Sequence, residues 1–215
     1  MRNFFCFLLV AVALTSCSVT IPLQTNLSDQ TMLLAENRNI KANFTLVSNI
    51  SDGFIPYISV LKNGSETVNN EAYKYASESA FNKIWTSYFS SKFNSYSKDQ
   101  MDIIATLKDF KLREQAATSI GMSLLTGNSK VNVEAIATIH VLVNYHGKDY
   151  ENQFEIIASD YNESQQMKSG NNYYVVNQNN PTQQKAKLLE SCLNKSIIQF
   201  ENFLRSVMLA HKEKE

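Results

Sequence analysis

The chain has no excess of charge, no cysteine framework and no recognisable catalytic signature. Its 215 residues carry 20 Lys and Arg against 20 Asp and Glu. Near neutrality there is no global field to draw in nucleic acid or a strongly charged ligand, and no basic face is present to follow a phosphate backbone. Only three histidines occur, His140, His146 and His211. His140 and His146 lie on one predicted strand, about 20 Å apart at ~3.3 Å per residue, so they cannot share a metal there. No paired-cysteine or His-x-x-x-His spacing supports a zinc site. Ser119-Ile120-Gly121 lacks the first glycine of a nucleophile elbow. Gly127-Asn128-Ser129-Lys130 lacks both the first glycine and the ending of a phosphate loop. No catalytic residue, metal ligand or cofactor is therefore assigned, and no enzyme activity is expected. No apolar run approaches the roughly 20 residues of a membrane span.

The longest apolar run, Phe4 to Leu14, follows Arg2 and precedes Thr15-Ser16-Cys17. A basic start, a short apolar stretch and small residues at the break form a secretory signal peptide over residues 1–16. Leu14-Thr15-Ser16-Cys17 resembles the bacterial lipobox. The resemblance implies cleavage between Ser16 and Cys17, acyl chains on Cys17 and tethering to an envelope membrane. One acyl chain binds only marginally, so several would make the attachment durable. Cys6 leaves with the signal peptide, which isolates Cys192 and rules out an intramolecular disulfide in the mature chain. Cys192 reads as a small buried residue on a helix.

The remaining sequence reads as one domain over 38–210. Before it, residues 17–37 read as a lipidated start and polar tether; after it, 211–215 read as a fraying tail. Alternation predicts a strand over 40–48, with Ile40, Ala42, Phe44 and Leu46 on one face. A second strand follows from Phe54 to Leu61, and Pro56 argues against a central place for it. Residues 71–94 carry Tyr73, Ala76, Ala80, Phe81, Ile84, Trp85, Tyr88 and Phe89 at helical spacing, with Asn69 or Asn70 as cap. Another strand spans 100–113, its alternation disturbed near Ile103-Ile104. Residues 115–129 read as an irregular connection.

Residues 131–160 predict a hairpin. Odd positions Val131 to Tyr145 are apolar throughout, and His146-Gly147 suits a two-residue turn. Pairing Tyr145 with Lys148 sets Val143 against Tyr150, Ile139 against Phe154 and Ala137 against Ile156. His140 then lies on the polar face as a solvated sheet residue. A one-residue slip would lose the match on both faces. Residues 162–180 read as a long loop with Tyr173 and Tyr174 in a short edge segment. Asn180-Pro181 starts a final helix to about Ala210, with Ala186, Leu189, Leu193, Ile197, Phe200, Leu204 and Val207 as its stripe. The expected class is α+β: a two-layer sandwich, a mostly antiparallel sheet with two long amphipathic helices on one face.

This order behind a lipobox resembles the YajG-like envelope lipoproteins. The features that carry the likeness are Leu14-Thr15-Ser16-Cys17, Ala80-Phe81-Asn82-Lys83-Ile84-Trp85, the strand Met101 to Arg113, the hairpin and the last helix. It implies a small α+β lipoprotein domain and brings no catalytic residues. Ser18, rather than an acidic residue, follows Cys17, and no acidic run follows it. By the same likeness the protein belongs at the outer membrane, on its periplasmic side, with the inner membrane or cell surface as alternatives. Two functions are carried forward. One is a non-enzymatic accessory or assembly component with an envelope protein partner, contacted through Tyr173 and Tyr174. The other is a periplasmic binding module for a small apolar or glycan ligand, held by Trp85, Tyr88 and Phe89. The oligomeric state stays open.

Overall fold

The computed structural model describes residues 18–61, 63–116, 128–169, 172–177 and 181–212. The elements are β1 (Val19–Thr20), α1 (Asp29–Leu34), β2 (Lys41–Ser48), β3 (Gly53–Val60), β4 (Glu66–Tyr75), α2 (Ser77–Lys92), β5 (Gln100–Ala116), β6 (Asn128–Tyr145), β7 (Lys148–Ser169), β8 (Asn172–Asn177) and α3 (Pro181–Lys212). Strands dominate, and the α+β expectation holds. The open sheet runs β1-β4-β3-β5-β6-β7-β8, and β2 pairs with the first half of β5. It is mixed: β5 is antiparallel to β6, while β2 and β3 run parallel to it end to end along its other edge.

The hairpin forms in the expected register. Tyr145 faces Lys148, Val143 faces Tyr150, Ile139 faces Phe154 and Ala137 faces Ile156. Its turn places His146 at φ 51° and Gly147 at φ 72°. These are the left-handed values a two-residue turn requires, matching the right-handed strand twist. Val133, Ala135, Ala137, Ile139, Val141 and Val143 are wholly buried.

In β5 the pattern changes face, but not at Ile103-Ile104. Ile103 is buried and Ile104 exposed, as alternation requires. The register shifts between Leu107 and Asp109. Buried positions accordingly pass from Met101, Ile103, Ala105 and Leu107 to Phe110 and Leu112. One extra residue at this point moves the apolar set from odd to even numbers.

Four expectations are corrected. The helix expected from residue 71 starts at Ser77, and residues 66–75 are strand β4. The Asn63-Gly64 turn folds this segment back on β3, with Leu61 N–H donating to Ser65 O at 2.9 Å. No side chain of the preceding residue caps α2. Asp52, from the β2–β3 turn, instead accepts the Ser79 N–H at 3.0 Å. Secondly, β3 is an interior strand despite Pro56, because the proline sits at the register break between Ile55 and Tyr57. A break is where a missing N–H costs the ladder least.

The third correction concerns residues 18–37, which are docked rather than a loose tether. β1 pairs with β4, and Ile21, Thr25, Thr31 and Ala35 are buried. α3 holds the segment: Ser28 N–H donates to Asn194 Oδ1 at 2.8 Å, and Asn26 N–H to Glu190 Oε1 at 2.9 Å. Ser28 also caps α1 through the Thr31 N–H at 3.1 Å. Fourthly, the expected loop 162–180 is largely strand, since β7 continues to Ser169 and β8 pairs with it.

α3 starts at Pro181, and its expected stripe is buried in full, Ala186 to Val207. It packs on β6 and β7 and touches α2, while α2 contacts β2 and β5. Buried α2 positions Ala80, Phe81, Ile84, Trp85, Tyr88 and Phe89 keep helical spacing. Phe44 from β2 stacks on Phe89 at 4.4 Å.

Candidate functional site

Ser16 and Cys17, the residues of the lipobox junction, lie outside the described residues. Tyr173 and Tyr174 lie in β8, opposite Lys168 and Met167, rather than in a loop. Their side chains are not among those described.

Trp85 and Tyr88 do not line a ligand pocket. Both have no accessible surface. The Trp85 indole N–H donates to Ser196 Oγ at 3.1 Å, and its ring lies 5.2 Å from Phe200. Tyr88 donates to Glu201 Oε1 at 2.5 Å. The spacing that suggested an aromatic ligand face is that of a helix packed on a sheet and a second helix. Phe89 is equally core.

Tyr88 belongs to a buried ionic cluster the sequence did not reveal. Arg38 meets Glu201 end-on, Nη1 to Oε1 at 2.9 Å and Nη2 to Oε2 at 2.6 Å. Burial, the largest influence, lowers the Arg38 pKa, but the hydrogen bond to Glu201 and the charges of Tyr88, Glu201 and Glu36 together outweigh it, and the net direction is upward. Burial, reinforced by Glu201, holds the Tyr88 hydroxyl well above the usual range. The guanidinium also stands over the Phe93 ring at 5.8 Å. The cluster fixes residues 36–40 against both long helices. Its Arg38 and Glu201 side chains are nearly wholly buried, and it makes a structural clamp.

The histidines serve packing. His140 Nε2 lies 2.6 Å from Glu151 Oε1 on the polar face of the hairpin. His211, expected to fray, is helical and stacks on His146 at 4.4 Å. His146 lies 3.3 Å from Asp99, which also accepts the Tyr145 hydroxyl. Among the described residues no group of three or more metal-ligating side chains converges. Cys192 is buried as expected, and burial pushes its thiol up to about 12.

A polar cleft lies where the core-facing side of β3 and β4 runs past the start of α3. Tyr57 pairs with Asn69 and Ser59 with Thr67, so these four side chains share a face with Tyr73 and Glu71. Lys185, from the second turn of α3, stands over the Tyr73 ring at 5.1 Å. Beyond it the face is uncovered, and a cleft of about 560 Å³ opens between Tyr57, Ser59 and residues 67–71. Its back wall is tied. Lys185 Nζ reaches Glu114 Oε1 at 2.6 Å, and Glu114 Oε2 accepts the Tyr57 hydroxyl. Burial, then the bond to Glu114, raises the pKa of that hydroxyl. Sequence reasoning missed this cleft. The only local signal was the change in β4 from aromatic Tyr73 and Tyr75 to polar Thr67, Asn69 and Glu71.

No family model matches the chain, and no curated protein matches it. Solved structures similar to it include the following two. One is a crystal structure of an uncharacterized protein, 14% identical, covering 88% of this chain and 97% of that one at a TM-score of 0.35. The other is protein XCC0632 from Xanthomonas campestris, of family DUF330. It is 6% identical, covering 89% of this chain and 98% of that one at a TM-score of 0.43.

Proposed function

We propose that this chain is a non-enzymatic, YajG-like envelope lipoprotein. Acyl chains on Cys17 anchor it at the periplasmic face of the outer membrane, where it acts as a protein-interaction or assembly component. The observation that carries the reading is Leu14-Thr15-Ser16-Cys17 behind a signal-peptide apolar run. The docking of residues 19–35 supports it from the other side of the junction. β1 begins at Val19, already paired with β4. Two residues of chain span at most about 7 Å. An anchor at Cys17 therefore holds the domain against the bilayer, with no stalk between them. No helix among the described residues is long and apolar enough to cross a membrane.

In this reading α2 and α3 cover one face of a two-layer sandwich, and the opposite face, with Ile104 and Ile157 exposed, stays open. A protein partner is favoured over a small apolar ligand because Trp85 and Tyr88 offer no accessible surface. Cross-linking in intact cells, followed by pull-down from detergent-solubilised envelope, tests the partner. The expected result is one stoichiometric envelope protein. Recovery of none would contradict the assembly role.

A further inference from the structure

We infer that the cleft over β3 and β4 is a binding site for a neutral saccharide. Its volume of about 560 Å³ falls within the roughly 300–1,000 Å³ of small-molecule sites. Its chemistry selects the ligand class. Asn69 and Asn70 each carry a donor and an acceptor group, and Ser59 and Thr67 add hydroxyls. Such groups match ligands whose own hydroxyls both donate and accept. Among the described residues no Lys or Arg lines the cleft. Lys185, behind Tyr57, is buried and committed to Glu114 at 2.6 Å, and Arg113 is drawn toward Glu66 at 3.6 Å. A phosphate or carboxylate ligand would meet Glu71 and no cationic side chain among the described lining residues. An acyl chain would find only Val68 and the Tyr57 ring as apolar wall. That ring offers a platform for the C–H face of a pyranose.

The site is also partly organised in advance, which lowers the cost of binding. Glu114 holds the Tyr57 hydroxyl, and Lys185 holds Glu114. Glu71 N–H donates to Asn69 Oδ1 at 2.9 Å, fixing that amide. Thr67 Oγ1 donates to Ser59 O at 3.4 Å. The polar residues are therefore arrayed on a paired strand backbone rather than on a loop.

A free glycan and a glycolipid headgroup share this chemistry, and the inference stands whether or not Cys17 is acylated. The test follows the side-chain amide NMR signals of Asn69 and Asn70 in the full chain. One arm adds chitotetraose or maltotetraose to the protein in micelles. The other places it in phosphatidylcholine nanodiscs with and without digalactosyl diacylglycerol. Inorganic phosphate is the control ligand. Saturable shifts with a tetrasaccharide assign a free glycan; shifts only with the glycolipid assign a headgroup. Asn69→Ala should weaken binding roughly tenfold or more, while Asn152→Ala, on the exposed hairpin, should leave it unchanged. Both variants must keep the wild-type circular dichroism and melting temperature. No shift in either arm, tighter binding of phosphate, or equal affinity of a folded Asn69→Ala protein would overturn the assignment.

Discussion

Replacing Glu201 by glutamine should remove a large part of the stability of this domain. Glu201 is 2% exposed and accepts hydrogen bonds from both Arg38 nitrogens and from Tyr88. Glutamine keeps the shape but removes the charge. Its NH₂ also puts a donor where a carboxylate oxygen had accepted from existing donors. Arg38 then remains a buried cation whose remaining carboxylate partner is Glu36, half-exposed and 3.7 Å away. Breaking a buried pair in this way costs about 3–5 kcal/mol, against a total of about 5–15 kcal/mol for a domain. At a urea slope of about 2 kcal/mol/M, the midpoint should fall by about 1.5–2.5 M. The single tryptophan, Trp85, lies within this helix pair and reports the transition. The combined change Arg38→Met, Glu201→Leu and Tyr88→Phe removes all three polar partners together. It should be more stable than Glu201→Gln, because no buried group is left unpaired. A shift for Glu201→Gln worth less than about 1 kcal/mol, or a triple variant weaker than the single, would refute the reasoning.

Three further outcomes are expected. Ile139→Asp buries a charge at a wholly inaccessible position and should abolish cooperative unfolding. His140→Asp, on the opposite face, should cost about 1 kcal/mol or less, as chemical denaturation would reveal; equal costs would remove the assigned register. The Cys192 thiol should resist a disulfide reagent in the native state at pH 8 and react once the protein is unfolded; rapid native labelling would contradict its burial. Its folded pKa of about 12 lies above the ordinary 9.0. The neutral thiol therefore adds stability that is present below about pH 9 and is lost as pH rises toward 12. Tyr88 and Tyr75, also raised by burial, act in the same direction. Thermal melts at pH 7 and pH 11 should show a lower melting temperature at the higher pH; equal values would count against this linkage.

What could be read from sequence was what neighbours in sequence decide. The hairpin was legible because Val131 to Tyr145 alternate without a break and His146-Gly147 sets the turn. α3 was legible because Pro181 marks its start and its stripe keeps one period. β4 was misread because Tyr73, Ala76 and Ala80 fit helical spacing as well as a strand running into a helix. The choice rests on β3, reached through Asn63-Gly64. The docking of residues 18–37 could not be read locally, since its anchors Glu190 and Asn194 are 164 and 166 residues away from Asn26 and Ser28. The Arg38–Glu201 pair bridges a similar distance of 163 residues. The aromatic residues of α2 were visible as candidates, but spacing alone cannot distinguish a wall facing a ligand from one facing another helix. The cleft depends jointly on the register break at Ile55–Tyr57 and on where α3 begins.

The central claim is attachment at Cys17, and mass spectrometry of the mature N-terminal peptide tests it most directly. The account predicts that the peptide begins at Cys17, with a diacylglyceryl group in thioether linkage to its sulfur and an acyl group on its amine. Cys17→Ala should then accumulate as uncleaved, unacylated precursor. A mature chain that begins elsewhere, or an unmodified Cys17 thiol in protein that still fractionates with the membrane, would contradict it.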